Sequence, residues 1–218
     1  MNLFSYDGPI SRFLYLVADI VVLHLLWVLC SLPLVTMGAA NTALYYSCMK
    51  RIRTGEGHAW SNYLSAFRAN FRQATVLWLL LLAAGFLLFT DLRIGLAVGG
   101  ALGRFMLVSC SVFLIPYILV LLYIFPVQAK FENRVFDNFK NALLMSLQSF
   151  GYSLALLLVA GTFMILSLYF RPFLGLMICC GAGLYGYLTS SVFVQIFRRY
   201  LPDEYLDDLQ KTDFYQDR

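Results

Sequence analysis

The chain has 218 residues, 61% of them hydrophobic and 13% charged, with a mean hydropathy of +0.74. A soluble domain carries about a quarter charged residues and just under half apolar ones, so this chain has too little charge to coat a water-facing surface. The formal charge of +4 sits in the gaps between long uncharged stretches. That excludes a soluble enzyme, a disordered chain and an ordinary nucleic-acid binder, and leaves an integral membrane protein.

Five stretches approach the ~20 apolar residues that a spanning helix needs: 14–35, 73–89, 105–127, 150–170 and 173–197. The expected fold is all-α, a polytopic membrane helix bundle of five transmembrane helices with amphipathic interfacial helices on the cytoplasmic side. Residues 1–200 form a single helical membrane domain and 201–218 an acidic cytoplasmic tail. Barrel strands would read as short alternating segments, unlike the solid run Leu79-Leu80-Leu81-Leu82.

The first stretch is expected to stay in place as a span. Its preceding segment has one basic residue, Arg12, offset by Asp7, and no small-x-small cleavage site follows before Pro33. Within it, Asp19 and His24 are the intramembrane polar candidates, because ionisable groups are expensive in hydrocarbon. Five residues correspond to roughly 140° around a helix, so the two do not share a face. Asp19 is expected near the outer interface, solvated or paired with Arg12 or Arg93, and His24 as a satisfied hydrogen-bonding group.

Two connections carry helical patterns of their own. Leu44, Tyr45, Cys48, Met49 and Ile52 recur at helical spacing before Lys50, Arg51 and Arg53. After the turn signal Thr54-Gly55-Glu56-Gly57, residues Trp60, Tyr63, Leu64, Phe67 and Phe71 mark a second amphipathic helix bearing Arg68 and Arg72. Beyond the third span, Phe131, Val135, Phe139 and Leu143 repeat every fourth residue beside Lys130, Arg134 and Lys140. Such helices lie in the interface with the apolar face toward acyl chains and the cations toward headgroups, or form a docking platform for a partner.

Gly95, Gly99 and Gly103 suggest a loop or short helix between the second and third spans, and Pro116 a kink in the third. In the last span Gly181-Ala182-Gly183-Leu184-Tyr185-Gly186 spells G-x-G-x-x-G, but a nucleotide site needs a preceding strand and a βαβ unit. Gly175, Cys179 and Gly183 repeat at i+4, as do Ala182, Gly186 and Ser190, so Gly175, Cys179, Gly183 and Gly186 are read as helix-packing positions. The tail's Tyr205, Leu206 and Leu209, among Asp203, Glu204, Asp207 and Asp208, are read as a solvated segment or a docking peptide. The five cysteines lack metal spacing and are read as reduced packing residues. No Walker A sequence, H-E-x-x-H, G-x-S-x-G or paired carboxylate array occurs, so neither a catalytic residue, a cofactor nor a metal is assigned and the protein is expected not to be an enzyme.

Basic residues set orientation. Lys50, Arg51, Arg53, Arg68 and Arg72, then Lys130, Arg134 and Lys140, then Arg198, Arg199, Lys211 and Arg218 would lie on one side of five spans, against Arg12, Arg93, Arg104 and Arg171. The expected arrangement has the N-terminus outside and the C-terminus cytoplasmic.

Leu3-Phe4, Asp7-Gly8-Pro9, Arg12-Phe13 and Ala18-Asp19 resemble the opening of YesL-family membrane proteins. The likeness continues through Leu29-Cys30-Ser31-Leu32-Pro33, Gly38-Ala39 with Thr42-Ala43-Leu44-Tyr45-Tyr46, Phe67-Arg68-Ala69-Asn70-Phe71-Arg72-Gln73-Ala74, Tyr123-Ile124-Phe125-Pro126, Ala129-Lys130-Phe131-Glu132-Asn133 and Lys140-Asn141-Ala142. The resemblance implies a small integral protein of the cell membrane of a Gram-positive bacterium, with no established activity and no catalytic residues to carry over. It further implies association with carbohydrate uptake by an ATP-binding-cassette importer. The functional expectation is a non-enzymatic accessory protein whose partners are the lipid bilayer and permease or ATPase subunits, without nucleic acid. The alternative is a small transporter or channel acting as an oligomer, with Asp19, His24, Asn41 or Ser109 converging on a pathway.

Overall fold

A computed structural model describes residues 9–55, 58–131 and 133–201, and every regular element among them is helical. The order is α1 (Pro9–Ser31), a single 3-10 turn (Leu34–Thr36), α2 (Met37–Thr54), α3 (Ala59–Val98), α4 (Gly100–Lys130), α5 (Val135–Gln148), α6 (Phe150–Tyr169) and α7 (Arg171–Arg198). The bundle is all-α, as the composition requires, and α1, α3, α4, α6 and α7 are each long and apolar enough to cross a membrane. Residues 202–218 lie outside the described part, and the reading of the acidic tail falls there.

Local chemistry explains the breaks. α1 stops at Ser31, ahead of Pro33, and the Thr36 hydroxyl donates to the carbonyls of Cys30 (2.6 Å) and Pro33 (2.8 Å) that the helix end leaves open. α2 closes on Gly55, whose φ of +66° lets its N–H reach Arg51 O at 3.0 Å. Gly99 and Gly100, at φ +64° and +60°, turn α3 directly into α4, a hairpin that side-chain-bearing residues would strain. Gly95 and Gly103 are helical and pack α3 on α4 beside that turn: a methyl on Gly103 would sit 2.6 Å from Gly95 O. Only Phe170 separates α6 from α7, and Pro172 occupies the first turn of α7, where its missing N–H costs nothing.

Three boundaries differ from the sequence reading. The segment marked by Trp60, Tyr63, Phe67 and Phe71 is not a separate interfacial helix; it runs unbroken into the following span, making α3 40 residues long, about 60 Å at 1.5 Å per residue. Phe131 falls in the connection after α4, and Val135 and Phe139 of α5 pack on the protein core instead of facing acyl chains. The largest difference concerns α2, which is enclosed by its neighbours: Gly38, Ala39, Ala40, Ala43, Leu44, Cys48 and Met49 are all buried. Gly38 lets α2 approach the Ala74 backbone and Trp78 of α3, with a methyl there overlapping both. Its hydroxyls are satisfied within the helix, Thr42 on Gly38 O (3.0 Å) and Ser47 on Ala43 O (2.9 Å).

Contacts fix the helix directions. α1 and α2 run antiparallel, pairing Asp19 with Arg51 and Trp27 with Asn41. α2 and α3 are antiparallel, pairing Lys50 with Asn62 and Gly38 with Ala74, and so are α3 and α4, pairing Cys110 with Leu88 and Gln128 with Asn70. α1 and α7 are antiparallel, since Ile20 meets Gly183 while His24 meets Ile178. The start of α1 and the end of α7 therefore share one end of the bundle. In the expected arrangement, with the N-terminus outside and the C-terminus cytoplasmic, those two ends would instead lie on opposite sides. α2, which is not among the five bilayer-length apolar helices, runs back between α1 and α3.

The core lies toward that shared end. Phe193 contacts Tyr45 (5.8 Å), Tyr123 (5.1 Å) and Phe197 (5.8 Å), and Phe197 meets Phe131 at 5.4 Å, mostly edge to face. The exterior is apolar: Phe86, Leu87, Phe105, Val108, Phe113, Leu168 and Ile178 are exposed. A water-facing protein does not carry such a continuous surface, but a bilayer solvates it.

Candidate functional site

Polar groups inside the bundle are used for packing. Asp19, on α1, lies 3.0 Å from Arg51 Nε of α2, and both side chains are largely covered. The partner is Arg51, not the expected Arg12 or Arg93, because α2 lies alongside α1. The His24 imidazole bridges a backbone pair of α7: Nδ1 accepts from Ala182 N–H at 3.1 Å while Nε2 lies 2.9 Å from Ile178 O. With Nδ1 accepting, Nε2 carries the proton and donates. Asp19 and His24 therefore do different things at different places.

The packing positions divide in two. Gly183 sits on the Ile20 backbone of α1 with no room for a methyl, and Gly186 faces Leu44 of α2, where a Cβ would lie 2.9 Å from Cδ2. A methyl on Gly175 would meet nothing within 4 Å, and Cys179 is exposed. The seam thus lies along the middle of α7, from Ile178 to Gly186, and holds it to α1 and α2. All five cysteines are free thiols, and among the described residues no cluster of His, Cys, Asp or Glu is placed to hold a metal.

At the end shared by α1 and α7 the cations expected to dock a partner gather. Lys50 donates to Asn62 Oδ1 at 3.0 Å, and the guanidinium of Arg51 also reaches Gly55 O. Lys50, Arg53 and Lys130 line a cleft of about 310 Å³ with Tyr46 and Met49. It adjoins a second cleft, about 650 Å³, whose wall includes Asn70, Gln73, Gln128, Lys130, Asn133 and Arg134. Arg68, Arg72 and Lys140 are exposed on the same half of the molecule.

Amides organise the larger cleft. Gln128, 4% exposed, donates to Asn70 Oδ1 at 3.0 Å and accepts from the fully buried Asn138, while Gln73 donates to Asn133 O. Sequence reading found Asn70 within a motif but missed Gln128 and Asn138. Their signal was an amide two residues before Lys130 and another on the buried side of an amphipathic repeat.

A second hollow, about 720 Å³, lies within the bundle, with His24 and Trp27 of α1, Asn41 and Tyr45 of α2, Trp78 of α3, Phe125 of α4, Phe163 of α6 and Tyr185 of α7 in its wall. Asn41, one of the residues expected to line a pathway, is there with His24; Asp19 and Ser109 are not. Trp27 Nε1–H donates to Asn41 Oδ1 at 2.7 Å.

Five bilayer-length apolar helices around a packed core, with an apolar exterior, are the features of a multi-pass helical membrane protein. Residues 20–92, roughly a third of the chain, match the profile of a family described as "Protein of unknown function, DUF624". The match runs from the middle of α1 through most of α3, the part that holds the Asp19 partner Arg51 and half of the amide cleft. No curated protein and no solved structure matches the chain.

Proposed function

We propose that this protein is a non-enzymatic accessory subunit of a membrane complex, working through its basic end, and that the complex serves carbohydrate uptake by an ATP-binding-cassette importer. One observation carries the first part. Lys50, Arg51, Arg53, Arg68, Arg72, Lys130, Arg134, Lys140, Arg198 and Arg199 collect at the end that also holds the amide-lined cleft, while Arg93, Arg104 and Arg171 are at the other. By the positive-inside rule that asymmetry favours the basic end as the cytoplasmic one, the side on which an importer's ATPase subunits sit. The carbohydrate link and membership of the YesL family rest on the sequence resemblance alone.

The test is purification of the tagged protein from its host in mild detergent after growth on complex glycans. Stoichiometric permease or ATPase subunits are the expected result, weakened by the charge reversals Arg68→Glu and Lys140→Glu. A protein that stays alone in native membranes, while uptake proceeds normally in its absence, overturns the reading.

The second reading, a small oligomeric transporter, draws on the hollow that His24 and Asn41 line. Its signature is flux through liposomes that contain this protein alone, abolished by Asn41→Leu, which removes a polar group from the hollow's wall.

A further inference from the structure

The hollow inside the bundle has a floor, a mouth and a chemistry. His24, Leu44 and Tyr45 form a buried floor from α1 and α2, while Ile118 of α4 and Leu157 and Met164 of α6 line the hollow and are also exposed. The mouth is therefore between α4 and α6. α6 is held to the core mainly at its start, where Ser153 Oγ and Tyr123 Oη of α4 are 2.8 Å apart and Leu156 is buried; Ser153 and Leu156 are the buried residues of α6. Beyond them the two helices part within the length of their apolar segments, where the surroundings are acyl chains.

The wall offers little to a polar guest. The Trp27 indole N–H is spent on Asn41 Oδ1, and both His24 ring nitrogens are committed to α7. The remaining lining is mostly Leu, Ile, Met, Ala and aromatic carbon, and its volume of about 720 Å³ falls within the ~300–1,000 Å³ usual for ligand sites. Apolar hollows stay dry and take apolar guests. Met37, Met164 and Met177 add unbranched, adaptable surface suited to a flexible chain.

We propose that this hollow is a binding site for the hydrocarbon chain of a membrane lipid, which enters sideways between α4 and α6. The site stands independently of any importer partner. It gives the transporter reading a different content, since the guest is apolar and arrives from the bilayer.

The experiment uses the full chain in vesicles of a phospholipid that carries a photoreactive diazirine midway along one acyl chain, with labelled residues mapped by mass spectrometry. Wild-type protein is expected to be labelled at inward residues such as Leu121 and Phe163 as well as at outward Phe113 and Ile165. Ala160→Trp, which fills the hollow, is expected to lower inward labelling several-fold and leave outward labelling unchanged; Leu121→Trp, from the opposite wall, does the same at Phe163. Ile165→Trp, on the outer face of α6, changes nothing inside. Thermal unfolding confirms that each variant scored is folded. Wild-type labelling confined to outward residues overturns the proposal, as does inward labelling that survives both fillings. Leu121 and Phe163 left unlabelled in the wild type, with copies joined when a bifunctional thiol reagent is added to Leu121→Cys protein, overturn it in favour of a second copy's helix.

Discussion

At the scale of single residues, the buried polar groups hold helices to each other, and their removal has calculable consequences. Losing one partner of a fully buried ion pair costs about 3–5 kcal/mol. With 14% and 20% of the Arg51 and Asp19 side chains exposed, Arg51→Met is expected to cost on the order of 2 kcal/mol, since partial hydration of Asp19 recovers some of the loss. In a double-mutant cycle with Asp19→Asn, read by reversible unfolding in detergent, a coupling of about 1 kcal/mol or more is expected; additive losses would mean that the pair contributes nothing. His24→Leu keeps the side chain's bulk but strips Ala182 N–H and Ile178 O of their imidazole contacts. The two groups either re-form their own helical bond or stay unsatisfied at about 1–3 kcal/mol each. We expect a net loss, seen as faster hydrogen exchange at Ala182, whereas unchanged exchange would mean α7 closes by itself. Gln128→Leu leaves Asn70 and Asn138 without their shared partner and is expected to lower stability by about 1–3 kcal/mol, more than Gln128→Glu, which retains an acceptor for Asn138.

At the scale of elements, apolar runs were legible because lipid-facing helices must advertise themselves in hydropathy: α3, α4 and α7 contain the spans read at 73–89, 105–127 and 173–197, α6 matches 150–170 to within one residue, and α1 ends at Ser31, short of the 35 read for the first span. α2 was legible as a helix and not as an interior one. Its enclosure rests on Gly38, Ala39, Ala40 and Ala43, which permit close approach, and on Thr42 and Ser47, whose hydroxyls bond their own helix. Residues that meet protein on all sides need not be hydrophobic, so a rule calibrated on lipid contact passes over them. The i+4 repeat in α7 likewise identified a packing helix but not its register, because spacing cannot say where a neighbour crosses. Gly183→Ala places a methyl on the Ile20 carbonyl, and overpacking of this kind costs about 1–3 kcal/mol. Gly175→Ala meets open space and is expected to be neutral or slightly stabilising, as Ala favours helix over Gly by up to about 1 kcal/mol. Unfolding of the two variants side by side separates the observed seam from the full repeat; equal losses would mean that α7 packs along its whole length.

At the scale of the whole molecule, helix direction and charge distribution combine into a statement about sides. α1 and α7 overlap along their apolar lengths and run antiparallel, so if both cross the bilayer, the start of one and the end of the other emerge on the same face. α2, which is not among the five bilayer-length apolar helices, would then have to supply the return that makes the number even. The charges agree better with six passages than with five: Arg12, counted outside in the odd arrangement, moves to the basic side, leaving Arg93, Arg104 and Arg171 opposite. Each of those three is at a turn between helices that the basic end does not share, near Gly99 or at Phe170. Reporter fusions decide the matter. A reporter active only in the cytoplasm, joined ahead of residue 9 or after residue 201, is expected to work in both places, and one active only outside the membrane is expected to work when inserted at Gly99. Opposite behaviour of the two terminal fusions would return the molecule to an odd number of crossings. It would then require α1 to lie along the membrane surface, which its packing against α7 through Ile20 and His24 opposes.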